Sequence, residues 1–164
     1  MQITPRGALK ALKNLEKQGL VVGKLFGRAI QYKINFNLLT KKNIELLLLE
    51  EAEYKYKRWV EEFRKFDEAQ IIILFGSILK QDKKHNDLDL IFVVDKNKYA
   101  SLMKKINEKN TVLVKKIHQV IQTMTDLKDN LINEDLVLLS AIKNGVVLKG
   151  QNKFVEVLEN VANR

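Results

Sequence analysis

The sequence predicts an α/β chain of the α+β kind: a small mixed sheet with flanking helices, preceded by a helix, a hairpin and a long linking helix. Three observations carry this expectation. Two apolar runs, Ile71-Ile72-Ile73-Leu74 and Ile91-Phe92-Val93-Val94, read as strands; the first runs into Phe75-Gly76-Ser77 and the second is headed by Asp87-Leu88-Asp89-Leu90. Residues 37–68 repeat apolar side chains at three- and four-residue steps, which is the period of a helix. Residues 1–36 read as one helix followed by a β-hairpin. The expected organisation is 1–36, a linking helix over 37–68, and a second domain over 69–164.

Each element follows from its own residues. Thr4 is a good N-cap and Pro5 fits the first helical position. Ala8, Leu9, Ala11, Leu12 and Leu15 then form an apolar face, and Gly19 ends the helix. Arg6, Lys10, Lys13 and Lys17 fall at i, i+4, i+7 and i+11 and make one basic stripe. Leu20 to Val22, a turn around Gly23 to Gly27, and Ala29 to Ile34 predict a hairpin whose tip carries Lys24 and Arg28.

In the long helix, capped by Asn37 or Thr40, Ile44, Leu47, Leu48, Ala52, Tyr56, Trp59, Phe63 and Phe66 share a face. The unbroken run Leu46 to Leu49 predicts burial on more than one side. An aromatic stripe at this spacing is read as core, with a homodimer interface as its alternative use. No flexible linker separates the halves, which implies a fixed relative orientation. Beyond the second strand, the expected elements are a helix over 98–109 with Tyr99, Leu102, Met103 and Ile106 inward, and a strand over 117–123. A short helix capped at Thr125-Asp126, a helix over 134–144 stopped by Gly145, a strand over 146–148 and a helix over 154–161 complete the chain.

The acidic strand head is the chemical feature. Asp is depleted in strands, yet two stand at the start of an apolar one. Side chains alternate across a strand, so Asp87 and Asp89 point to one face and Leu88 to the other. Two carboxylates side by side repel unless a cation or a shared proton compensates them. Hard cations such as Mg²⁺ take one or two carboxylates plus substrate phosphates. The turn at Gly76-Ser77 offers backbone N–H groups and a hydroxyl to such phosphates. Asp82 and His85 lie between the turn and the second strand and read as a solvated loop, with a proton-transfer role as the alternative.

Charge and composition bound the partners. The 164 residues carry a net charge of +9. Residues 1–40 hold seven basic side chains and one acid, residues 67–95 three basic and six acidic, and residues 96–129 eight basic and three acidic. An acidic centre between basic segments suits a metal site between phosphate-binding surfaces; a Lys-rich solvated surface is the plain alternative. No run approaches the roughly 20 apolar residues of a membrane span, the start carries no signal-peptide pattern, and there is no Cys for disulfides or a thiolate site. A cytoplasmic protein without a membrane partner is expected.

Gly-Ser, a spacer of about ten residues, and Asp-x-Asp in an apolar strand resemble the signature of the DNA polymerase β-type nucleotidyltransferase superfamily, and within it the minimal nucleotidyltransferases of archaea and bacteria. The resemblance implies a nucleotidyltransferase-type fold over 69–164, Mg²⁺ (or Mn²⁺) on the catalytic pair Asp87 and Asp89, and ATP or another nucleoside triphosphate at Gly76, Ser77 and Lys80. The spacer in such proteins reads roughly Gly-Ser-x-Ala-Arg-Gly; here Lys80 stands where the Arg would be and Gln81 replaces the second glycine. A third carboxylate comes from a later strand in the superfamily. The matching segment here is Ile117-His118-Gln119-Val120, which puts His118 at the third position; a strand histidine with an ordinary hydrogen bond is the plain reading.

Residues 3–36 resemble the recognition helix and wing of a winged helix-turn-helix domain, which implies DNA contacts by Arg6, Lys10, Lys13, Lys17, Lys24 and Arg28. The two helices that normally precede are not in this stretch, which leaves three readings: a truncated N-terminus, a covering partner, or a reduced module used for packing. The segment from Lys115 to Gly150 resembles the tail of nucleotidyltransferase-domain proteins fused behind a winged helix. The activity implied is transfer of a nucleoside monophosphate, AMP from ATP, to a hydroxyl acceptor. The alternative is a DNA-binding regulator, or an antitoxin-like protein paired with a HEPN-type partner, on a catalytically weak fold.

Overall fold

The computed structural model describes residues 3–80 and 87–163, which fall into two packed units, 1–44 and 45–164. The first unit begins with α1 (Pro5–Lys17), capped by the Thr4 hydroxyl, which accepts the Gly7 N–H at 3.2 Å. Strands β1 (Val21–Phe26) and β2 (Ala29–Ile34) pair antiparallel from Val21 opposite Ile34 to Phe26 opposite Ala29.

The turn is therefore the two residues Gly27-Arg28, and Gly27 takes φ +60°, as a two-residue turn with glycine in its first central position requires. This corrects the expected turn over 23–27. Lys24 is not at the tip but in the ladder opposite Gln31, whereas Arg28 is at the tip. Gly23 is a glycine for another reason. A Cβ there would come within 2.7 Å of the Glu16 carboxylate, which accepts the Gly23 N–H at 2.9 Å and ties α1 to β1.

Asn35 and Asn37 both donate to the Gly19 carbonyl at 2.8 Å, and Asn37 Oδ1 accepts from the Thr40 N–H at 2.9 Å, capping α2 (Leu38–Phe63). Thr40 is the one buried residue among those described in the first unit.

α2 continues into the second unit and leaves helical geometry at Tyr56. Its later half faces the core with Ala52, Trp59, Val60 and Phe63, but Leu46, Leu47 and Leu49 are exposed and Leu48 is half-buried. The expected two-sided burial of that run is corrected: at this stretch the helix has one covered side, and three of the four Leu side chains fall off it.

The second unit is built on a four-stranded sheet of order β5-β4-β3-β6, from β3 (Ala69–Phe75), β4 (Asp87–Val94), β5 (Lys116–Gln122) and β6 (Val146–Lys149). β3 runs antiparallel to β4 and β6, and β4 runs parallel to β5. Both faces are covered, so β3 and β4 read as continuous apolar runs.

Ile72, Leu74, Leu88, Leu90 and Phe92 pack with Phe63, Phe66 and α3 (Tyr99–Val112). Ile71, Ile73, Ile91 and Val93 pack with α4 (Met124–Ile132), α5 (Leu136–Lys143) and α6 (Gln151–Ala162). Phe63, Phe66 and Phe92 form an aromatic triangle with ring centroids 5.2–6.3 Å apart.

Three local expectations change. Tyr99 is half-exposed rather than inward, because the inward line of α3 runs through Leu102 and Ile106. α4 is capped by Thr123, not Thr125: Thr123 Oγ1 accepts the Asp126 N–H while Asp126 accepts the Thr123 N–H at 2.9 Å. The two Thr123 hydrogen bonds hold the Asp126 carboxyl below its ordinary value. α5 starts at Leu136 behind the cap Asp135. Among the described residues no helix is long and apolar enough to cross a membrane.

Phe92→Ala removes the ring that joins the aromatic triangle to the sheet. It should cost about 3–5 kcal/mol, read by urea unfolding followed through the fluorescence of Trp59, the single Trp of the chain.

Candidate functional site

The alternation of β4 decides where the carboxylates go. Leu88, Leu90 and Phe92 face the α2–α3 layer, so Asp87 and Asp89 share the opposite face with Ile91 and Val93. They stand at the strand's first turn of pleat, where the helical cover has ended. Their side chains are 46% and 29% exposed.

The parallel register of β4 and β5 sets Asp89 beside His118. The imidazole lies against both acids, with Nε2 3.7 Å from Asp87 Oδ1 and Nδ1 3.7 Å from Asp89 Oδ1. These separations exceed hydrogen-bond length. Lys116, the neighbour of Asp87 in the register, sends its ammonium to the carbonyls of Asn110 and Leu113 instead.

From the other side, β3 brings Phe75 opposite Asp89 and then turns sharply. Gly76 takes φ +81° and opens a single 3-10 turn, Gly76–Leu79, closed by the Lys80 N–H on the Ser77 carbonyl at 2.9 Å. A Cβ on residue 76 would overlap Asp89 Oδ2 and stand 3.0 Å from its Cγ. Glycine is thus required twice, by the backbone angle and by the carboxylate lying against it.

The predicted residues Gly76, Ser77, Asp87, Asp89 and His118 are brought to one end of the sheet, with Lys80 at the end of the turn. Asp82 and His85 lie outside the described residues.

Two oxygen-donor carboxylates at an open edge suit a hard divalent cation that completes its shell from phosphates and water. Among the described residues no group of three His, Cys, Asp or Glu side chains is arranged to hold a metal ion, so His118 does not close a three-ligand cage as it stands.

One wall was not anticipated from the sequence. The Gly76–Leu79 turn and α5 enclose an open cleft of about 800 Å³, with Leu136, Val137, Ser140 and Asn144 on the helix side. The available signal was the pair Leu136-Val137, apolar but off the inward line of Leu138 and Ala141. In the other unit, Arg6, Lys10, Lys13 and Lys17 are all exposed along α1.

A mixed sheet with paired carboxylates heading an inner strand and a Gly-Ser turn leaving its neighbour defines a nucleotidyltransferase-type fold. The family described as polymerase beta, nucleotidyltransferase, matches residues 57–154, more than half of the chain, and the chain belongs to it. No curated protein matches the chain significantly.

Replacing Gly76 should reveal the double constraint. Gly76→Ala is expected to lower stability by about 1–3 kcal/mol. Gly27→Ala, at a similar angle but with nothing within 4 Å of the added Cβ, should cost the smaller backbone penalty of about 1 kcal/mol. Paired urea titrations compare them; equal losses would remove the Asp89 contact from the argument.

Proposed function

We propose that this chain transfers a nucleoside monophosphate, AMP from ATP, to a hydroxyl acceptor, with Asp87 and Asp89 as the acids that hold Mg²⁺ or Mn²⁺. The observation that carries the reading is the Asp89 carboxylate lying against Gly76, which joins the acid pair and the Gly76-Ser77 turn in one site.

In the reaction the acceptor oxygen bonds to the α-phosphorus, the bond from that phosphorus to the pyrophosphate oxygen breaks, pyrophosphate departs, and the hydroxyl proton is released. A divalent metal held by Asp87 and Asp89 would supply charge neutralisation for the transferring phosphate. The residues' own work is positioning. Asp87 and Asp89 fix the cation site at the strand head, and Ser77 donates its hydroxyl to a phosphate oxygen. Lys80, at the end of the turn, would add positive charge near the phosphates. His118 takes the third position, on the strand edge away from the turn.

Asp89→Ala should reduce label transfer from α-labelled ATP by at least about a hundredfold, some 2.7 kcal/mol of transition-state stabilisation. Its urea midpoint should stay near that of the parent. A variant as active as the parent would sink the reading.

A second reading is favoured by one observation, the four exposed basic side chains on one side of α1: contact with DNA phosphates by Arg6, Lys10, Lys13 and Lys17, with Arg28 at the hairpin tip and Lys24 in the ladder. Mobility shifts over a salt series test it. Each lost phosphate contact should lower the log–log salt slope by about 0.9, so Lys10→Ala/Lys13→Ala should flatten it by nearly 2. Absence of binding at low salt would remove this reading.

A further inference from the structure

We infer that the cleft between the Gly76–Leu79 turn and α5 is the nucleobase pocket of this site, and that Asn144 selects a 6-aminopurine over a 6-oxopurine. This rests on the reading that a triphosphate binds at Ser77 and the acid pair. The volume, about 800 Å³, lies in the range of small-ligand sites. The cleft shares Gly76, Ser77 and Lys80 with the proposed phosphate end, so it is the continuation of that end rather than a separate cavity.

Its far wall is unusual for the outer side of a short helix. Leu136 and Val137 are 81% and 79% exposed in consecutive positions, directly behind the cap Asp135. Nothing in the helix's packing calls for them, since Leu138 and Ala141 supply its inward line. They give the cleft an apolar surface able to lie against the face of a flat ring, and the base is the one part of a nucleoside triphosphate with such a face.

Asn144 supplies the polar reading. Its Nδ2 donates to the Ser140 carbonyl at 2.9 Å, which orients the amide and commits one donor to the helix end. On this inference the amide, so oriented, presents Oδ1 to the cleft that Asn144 lines. An exocyclic amino group at purine C6 donates to such an oxygen. A carbonyl at C6 meets it acceptor to acceptor and loses the bond. One ordinary hydrogen bond gained or lost corresponds to roughly five- to tenfold in affinity.

The experiment is a set of calorimetric titrations with Mg²⁺ present, using inorganic tripolyphosphate, ATP and GTP as probes. The parent protein should bind ATP at least about tenfold more tightly than tripolyphosphate, and ATP over GTP by roughly five- to tenfold. Asn144→Leu should bring the ATP-to-GTP ratio to about one and leave tripolyphosphate unchanged. Val137→Ser, at an exposed position that the fold does not use, should weaken ATP several-fold and again spare tripolyphosphate; it keeps the test alive if the Asn144 variant fails to fold.

Equal affinity for ATP and tripolyphosphate, or an ATP preference that survives Asn144→Leu, overturns the pocket while phosphate binding at Ser77 stands. Loss of both ATP and tripolyphosphate binding in the parent, or binding indifferent to Asp89→Ala, overturns the site reading beneath it.

Discussion

Strand β4 carries two demands in one alternation. Every second residue from Leu88 must be apolar, because it faces the layer built from α2 and α3. The residues between them must be apolar too, but only once α4, α5 and α6 cover that face. At the strand head the cover has not begun, so Asp87 and Asp89 occupy positions that Ile91 and Val93 continue inside the core. Carboxylates there keep water on one side while their backbone is locked into an inner strand. An acid on a loop would have to be ordered at an entropic cost of about 1–2 kcal/mol per residue; here the core's packing has already fixed the backbone. The same pleat brings His118 alongside through β5 and Asp89 against Gly76 through β3. Displacing the register by one residue would turn the acids into the apolar layer and Leu88 outward.

The two units are stabilised differently. The sheet unit buries apolar side chains on both faces, from Phe63 and Phe92 on one to Phe154 and Val157 on the other. The first unit, 44 residues long, has no described apolar residue buried. Units of this size bury too little surface for a strong core. Its order rests on polar ties: the Thr4 cap, Glu16 on the Gly23 N–H, and the two Asn amides converging on the Gly19 carbonyl. Exposed Leu9, Leu25, Phe26 and Ile30 remain on it. Basic charge on the same unit argues against self-pairing through its charged side, since like charges would face one another.

What could be read in the sequence followed how local the cause is. The strands β3 and β4, the Gly-Ser turn and the common face of Asp87 and Asp89 depend on neighbours along the chain, and a period of two and a turn glycine express them directly. The juxtaposition of His118 with Asp89 depends on a parallel pairing across some thirty residues; family resemblance, not periodicity, pointed to it. The hairpin turn went wrong because two glycines competed. Gly23 is there for a close approach by Glu16, Ile30 and Tyr32, and only Gly27 turns the chain. Leu46 to Leu49 misled because a continuous apolar run does not say how many sides of a helix are covered. The α5 wall of the cleft was invisible because nothing in Leu136-Val137 by itself says that a turn sixty residues earlier will stand opposite it.

An imidazole, not a third carboxylate, lies beside Asp87 and Asp89, and this bears on how a metal site would be assembled there. Three carboxylates at one edge repel strongly and bind a cation with protein oxygens alone. Two carboxylates and an imidazole carry less negative charge, and nitrogen is a weaker partner for Mg²⁺ than oxygen. The described side chains close no three-ligand cage. On the reading proposed above, a cation at Asp87 and Asp89 takes most of its shell from phosphate and water, so cation and nucleotide stabilise one another's binding instead of arriving at a finished metal site. Reciprocity then requires that the nucleotide raise the cation's affinity by the same factor as the cation raises the nucleotide's. An apolar wall such as Leu136-Val137, acting on the base end of the ligand, would leave that factor unchanged and act on the cation only through occupancy, by keeping the nucleotide bound at lower concentration.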